Sequence, residues 1–273
     1  MTGVCPEEFV EIANRLADAS GAVIRPHFRS GIAVADKHDE SPVTIADEAA
    51  EREIRRLLEE SCPGHGIVGE EFGGDGAARD FVWVIDPIDG TRSFICGVPT
   101  FTTLIALLRD GEPILGVIDQ PVSGERWVGA RGRGTTFNGA PVRTAAPRPL
   151  AEAAMFTTAP DMFEGTVFGG AAAADAYGRL QAAARLTRFG LDGYAAGLLA
   201  SGLIDLHVEG DMKPWDYMAL VPVIENAGGV MTGWDGRRLT LEAGAGLTLA
   251  ASSPALHAAA LDILGNGRAG PGG

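Results

Sequence analysis

"FVWVIDPIDGT" spans residues 81–91. Its first five residues, Phe81 to Ile85, carry no polar group apart from the indole N–H of Trp83. A run this short and apolar predicts a strand buried on both faces. It then ends on two acids, Asp86 and Asp89, with Pro87 and Ile88 between them and Gly90 and Thr91 after them. In α/β architectures the carboxyl ends of buried strands are where ligands bind. Pro87 fixes its own backbone and restricts Asp86, so the turn is stiff. Two carboxylates on a stiff turn suit a divalent cation such as Mg²⁺, and the carbonyl of Ile88 offers a third oxygen. Gly90 lets the backbone approach a ligand, and Thr91 sits near a helix start whose amides suit an anion such as phosphate. The competing reading is an ordinary turn, with aspartate as a cap and glycine for its positive φ.

Outward from this stretch, "GIVG" (66–69) predicts a short strand that runs into Glu70 and Glu71. If it neighbours 81–85, Glu70 comes beside Asp86. "SPVTIADEAAEREIRRLL" (41–58) predicts a helix with Thr44 as N-cap and Asp47 three residues on. Pro6 opens an earlier helix with Phe9, Ile12, Leu16 and Val23 on one face. Downstream, Asp110-Gly111 marks a hairpin between "FTTLIALLR" and "EPILGVIDQP", and "ERWVGA" (125–130) is a further strand. The glycine-rich "GARGRGTTFNG" (129–139) reads as a loop. "AAMFTT", "ARLTRFG", "LIDLHVE" and "LTLAAS" read as strands. Helices are expected over 171–184, in "GYAAGLLASG" (193–202), in "PWDYMALVPVIENAGG" (214–229) with a bend at Pro222, and from Pro254. Alternating helices and mixed strands imply stacked layers of the α+β class. The expected division is an N-terminal half over 1–140, a C-terminal half over 141–264, and a disordered tail over 265–273, "GNGRAGPGG".

The 273 residues carry a formal net charge of -14. That charge argues against nucleic acid or an anionic membrane as partner. Cys5, Cys62 and Cys96 form neither a disulfide framework nor a zinc pattern, which fits a reducing cytoplasm. No apolar run reaches a membrane-spanning length, and the first residues lack a signal-peptide core. The five histidines lack metal-ligand spacing, and no P-loop or G-x-S-x-G occurs. Asp216 follows Lys213-Pro214-Trp215 at a helix start, where it reads either as a cap or as another ligand.

Gly69-Glu70-Glu71, Trp83 to Thr91, Pro214-Trp215-Asp216 and Ala227-Gly228-Gly229, in this order, resemble the inositol monophosphatase superfamily over about residues 7 to 262. The resemblance implies a layered αβαβα sandwich and an Mg²⁺-dependent phosphatase acting on a small phosphate monoester. It implies that Glu70, Asp86, Asp89, Asp216 and the carbonyl of Ile88 hold two or three Mg²⁺. It places Thr91 and Asp47 beside the attacking water, and the amides of Gly90 and Thr91 on the phosphate. It implies substrate contacts at Asp192 and Glu209, and a homodimer. "GTRSFICGVPTFTTLIALL", "GVIDQP", "ERWVGA" and "FGLDGYAAGLLASG" bring the likeness closer to the histidinol-phosphate phosphatases of histidine biosynthesis. Leu191 stands where a glycine is more usual. The rival readings are an inositol or sugar phosphatase, and a non-catalytic binding protein on the same fold.

Overall fold

The computed structural model describes residues 3–31, 34–36, 42–74, 79–164, 170–241 and 246–265. The tail expected from residue 265 lies, but for Gly265, outside them.

The apolar run at 81–85 is the spine of the fold. It forms β4 (Phe81–Asp89), whose interior is buried from Val82 to Ile88. Alternation sends Trp83 and Ile85 to one face, where they pack with Leu16 of α1 (Glu7–Ile24) and Ile54 and Leu58 of α2 (Ile45–Ser61). Val82 and Val84 face the other way, onto Leu199 of α5 (Tyr194–Ala200) and Leu220 and Ile224 of α7 (Leu220–Ala227). Both faces are therefore covered by helices, which is why no polar residue is tolerated before Asp86.

β4 belongs to a seven-stranded sheet in sequential order. The other strands are β3 (Gly66–Gly69), β5 (Thr102–Arg109), β6 (Glu112–Gln120), β7 (Glu125–Ala130), β8 (Gly134–Phe137) and β9 (Ala140–Val142). β3 runs parallel to β4 and each later pair is antiparallel. Near the N-terminus, β1 (Val34–Asp36) and β2 (Pro42–Thr44) pair antiparallel. The chain then enters a second sheet, ordered β11-β10-β12-β14-β13. Its strands are β10 (Ala154–Thr157), β11 (Leu186–Phe189), β12 (Leu206–Glu209), β13 (Val230–Gly233) and β14 (Thr248–Ala251). Its outer face is covered by α4 (Gly170–Ala183) and α8 (Pro254–Gly265). Helices α5 and α7, with α6 (Pro214–Tyr217), fill the space between the sheets. The result is the expected αβαβα sandwich.

Glycines let the middle layer sit tightly. A Cβ on Gly116 would lie 2.0 Å from the Ala219 carbonyl oxygen, and one on Gly129 would lie 2.4 Å from that of Pro222. Helix α7 rests directly on the backbone of β6 and β7.

Two expectations need correction. Residues 214–229 form two helices, and the break falls at Met218–Ala219, ahead of Pro222. Pro222 has no N–H to bond the carbonyl four residues back, that of Met218, so it sits in the first turn of a new helix. The glycine-rich 129–139 is not all loop: it holds the end of β7 and all of β8, because Thr135, Thr136 and Phe137 pair with β7.

Candidate active site

The carboxyl end of β4 opens into a pocket of about 150 Å³. Among the described residues its wall carries seven carboxylates, Glu70, Asp86, Asp89, Asp192, Glu209, Asp211 and Asp216, and no lysine or arginine. A larger hollow of about 470 Å³, by α1 and the β6–β7 turn, shows no such convergence. There Arg126 is already bonded to Asp18, Asp119 and Asn14.

The parallel pairing of β3 with β4 sets Gly69 against Ile85, so Glu70 and Asp86 leave the sheet side by side. The Glu70 N–H bonds the Ile85 carbonyl at 3.2 Å. Strand pairing becomes irregular between Asp86 and Asp89, around Pro87. Asp86 Oδ1 accepts from the Ile88 N–H at 3.0 Å, which closes the stiff turn. Asp89 Oδ2 accepts from the Gly193 N–H at 2.6 Å and the Thr102 hydroxyl at 3.3 Å. Asp216 arrives from α6, where its Oδ2 takes the Lys213 N–H at 2.7 Å. It caps its helix and faces the cluster at once, so the two sequence readings do not exclude each other.

Asp86, Asp89 and Asp216 each offer an oxygen within 4.8 Å of the others. Glu70 lines the pocket but stands outside this closest trio. Burial, then the charges of Glu70 and Asp89, pushes the Asp86 carboxyl well above the usual range. Burial and Asp192 do the same to Asp89. Asp216 is pushed up to about 8, chiefly by burial. Crowded carboxylates, with no lysine or arginine among the described wall residues and no Cys or His in the trio, fit a hard divalent cation.

Gly90 has φ 82°, and a Cβ there would lie 2.7 Å from Asp192 Oδ2, so only glycine fits. Thr91 starts α3 (Thr91–Ile95), and its hydroxyl donates to the Ile88 carbonyl at 3.1 Å. Asp47 is fully buried and forms the expected capping box: its Oδ2 takes the Thr44 N–H at 2.9 Å. Burial raises its carboxyl to about 6, and its Oδ1 has no hydrogen-bond partner. No hydrogen bond joins Asp47 to Thr91, and Asp47 does not line the pocket.

Asp192 does not cap α5. Gly193 is the N-cap residue there, and no side chain bonds the helix start. Asp192 takes φ 46° and its Oδ2 accepts from the Ser93 hydroxyl at 3.2 Å. Positive φ falls on Gly190 and Asp192, on either side of Leu191, so the loop does not need a glycine at 191. Burial and the Glu209 charge push Asp192 up to about 6. Glu209, at the end of β12, is buried and faces the pocket from the second sheet.

The sequence reading missed Glu51. Its fully buried carboxylate takes the N–H groups of Glu71 at 2.8 Å and Phe72 at 3.2 Å, and Arg55 Nε at 2.8 Å. It lies so close under Gly69 that a Cβ there would be 2.0 Å from Oε1. One turn beyond Asp47 on the same helix face, it clamps the turn that carries Glu70. That four-residue spacing was the available signal. Thr102, Thr158 and Ser93 were missed as well, because only tertiary contact brings them to the site.

Residues 6–266 match the inositol monophosphatase family. The chain is 45% identical over 266 residues to the chloroplastic bifunctional phosphatase IMPL2 of Arabidopsis thaliana, covering 94% of this chain and 75% of that one. It is 35% identical to a histidinol-phosphatase of Chlorobaculum parvum, covering 94% and 97%. Among solved structures, an inositol monophosphatase from Zymomonas mobilis superposes with a TM-score of 0.85 at 40% identity, covering 95% and 98%. With the sandwich and the acidic pocket, these matches establish that the chain belongs to the inositol monophosphatase family, a family of phosphoric monoester hydrolases.

Proposed function

We propose that the chain is an Mg²⁺-dependent histidinol-phosphate phosphatase. The carrying observation is the surplus of acid in the pocket. Once Glu70, Asp86, Asp89, Asp216 and the Ile88 carbonyl are assigned to the metal, Asp192 and Glu209 remain on the wall; among the described residues no lysine or arginine lines it, and the basic group in contact with them is His207, bonded to one oxygen of Glu209. An alcohol that brings its own positive charge, as the ammonium of histidinol does, matches that remainder. Two further relatives, from Mycobacterium tuberculosis and Streptomyces coelicolor at 36% and 34% identity, are named histidinol-phosphatases.

Bound Mg²⁺ would supply charge neutralisation for the doubly negative phosphate and for the departing alkoxide. The chain's own groups do the rest. Glycine at 90 lets the backbone come close to the phosphate, to whose oxygens the Gly90 and Thr91 amides donate. Thr91, on the pocket wall, orients the attacking water, while Asp47, which does not line the pocket, holds the start of α2 through the Thr44 N–H. Gly193 and Thr102 hold Asp89 in place through its Oδ2. No side-chain nucleophile is required.

A second reading is an inositol-1-phosphate phosphatase. The Zymomonas mobilis structure and a Rhizobium meliloti inositol-1-monophosphatase, 34% identical over 206 residues, favour it. Phosphate release from histidinol phosphate, inositol 1-phosphate and glycerol phosphate, with and without Mg²⁺, separates the two. Asp192→Asn and Glu209→Gln should each weaken kcat/KM for histidinol phosphate by about 1.5–3 kcal/mol, the range for bonds to charged groups, and affect glycerol phosphate much less. A tenfold preference of the wild type for inositol 1-phosphate would hand the assignment to the second reading.

A further inference from the structure

Glu209 is held in an unusual way for a residue at a pocket wall. Its Oε1 is saturated: it takes the Thr158 N–H at 2.8 Å, the Thr158 hydroxyl at 3.1 Å, and His207 Nε2 at 2.9 Å. Its Oε2 is buried and has no hydrogen-bond partner among the described residues. A carboxylate can only accept, so His207 Nε2 carries the proton in this bond. His207 is itself 1% exposed and two residues before Glu209, on the same face of β12. The Thr158 hydroxyl that donates to Glu209 also accepts the Asp192 N–H at 3.2 Å, and Asp192 Oδ2 takes the Ser93 hydroxyl. One chain of bonds thus runs from His207 through Glu209, Thr158 and Asp192 to Ser93 on α3. It ties two pocket carboxylates of the second half of the chain to the helix that begins at Thr91.

We propose that His207 is a positioning residue for substrate selection. With Thr158, it pins one oxygen of Glu209 so that the other stays unbonded for a cationic group of the substrate alcohol. The inference rests on the reading of the pocket as a site for a positively charged alcohol. Without the imidazole donor, Glu209 has a choice of rotamers and can turn its free oxygen onto the vacated space. The cation would then meet a mobile acceptor and bind less tightly, while the phosphate end of the site would be untouched. Neutral alcohols make no such demand.

The test uses His207→Leu, His207→Gln and Thr158→Val with three esters: histidinol phosphate, ethanolamine phosphate and glycerol phosphate. His207→Leu should raise KM about tenfold for both cationic esters, the loss of one charge-assisted bond, with kcat held within about twofold, and should leave KM for glycerol phosphate within about twofold. Thr158→Val should raise KM for the cationic esters more than for glycerol phosphate, and it also lowers kcat because the Asp192 N–H loses its acceptor. His207→Gln, which places an amide donor near the position of Nε2, should recover most of the loss. Melting temperatures of the variants without substrate identify any that fail to fold, and Thr158→Val carries the test if His207→Leu does. Equal losses on all three esters, no loss on any, or no rescue by glutamine would overturn the proposal. Failure of the histidinol reading looks different: the wild type would then turn over ethanolamine phosphate but not histidinol phosphate.

Discussion

Gly69→Ala and Glu51→Ala attack one clamp from opposite sides, and their combination tests whether Glu51 organises the Glu70 turn. Gly69 has no positive φ, so alanine costs nothing in backbone strain there. The cost is steric: the new methyl would lie 2.0 Å from Glu51 Oε1 and 2.5 Å from its Cδ. Both atoms belong to a buried side chain held by three hydrogen bonds, so it cannot swing aside freely. Overpacking of this kind costs about 1–3 kcal/mol. Glu51→Ala removes the acceptor for two amides and a guanidinium. Each orphaned group costs about 1–3 kcal/mol when water cannot reach it; the outer positions of Phe72 and Arg55 bring the total to about 2–4 kcal/mol. In the Glu51→Ala background the clash is gone, and Gly69→Ala should then cost under about 1 kcal/mol. The double-mutant cycle should therefore show a coupling of about 2 kcal/mol, well outside the scatter of independent sites. Urea unfolding of the four proteins in EDTA supplies the cycle. Mg²⁺ titration of activity supplies a second readout: both single variants should need more Mg²⁺ for half-maximal rate, because Glu70 is displaced. Additivity within about 0.5 kcal/mol would refute the clamp.

Asp89→Asn should cut kcat by about 10³ or more, because a charge is lost from the cation site. The metal-free variant should melt no lower than the wild type, since one member of a like-charged cluster is gone; a variant that merely unfolds would make Asp89 structural. His257 is buried against the Thr232 hydroxyl at 2.9 Å, and burial lowers its pKa. A depressed histidine contributes stability that is full above the unfolded value of about 6.5 and is lost as pH falls through the folded one. His257 therefore contributes a loss of stability between pH 7 and 5, against the gain from the raised pocket carboxyls, so the melting temperature of His257→Gln relative to wild type should rise as pH falls from 7 to 5; a pH-independent difference would exclude the histidine.

The elements legible in the sequence are those whose causes are local. Phe81 to Ile85 announced a strand covered on both faces, Thr44 with Asp47 announced a helix start, and Asp110-Gly111 announced a hairpin. The carboxylates that close on one another were legible because β3 and β4 both end on acids. What stayed hidden depends on partners far along the chain. Glu51 reads as one more charge on a polar helix until the 69–72 turn folds over it. Pro222 announced an interruption, but the close seat of Ala219 and Pro222 on Gly116 and Gly129 is a long-range contact that no local pattern announces. Thr158 gains meaning only when β10 lies beside β12.

The pocket wall comes from both sheets. Glu70, Asp86 and Asp89 come from the first, Glu209 ends β12 and Thr158 follows β10 of the second, Asp192 precedes α5, and Asp216 sits in α6 between them. Two walls with separate supports can diverge at different rates. Substitutions on β12 alter what the pocket grips while the turn at Asp86 keeps its own bonds, whereas the loop before α5 reaches that turn through the Gly193 N–H on Asp89. Such a frame is suited to gene duplication: one copy keeps the hydrolytic chemistry while its sibling drifts to another alcohol.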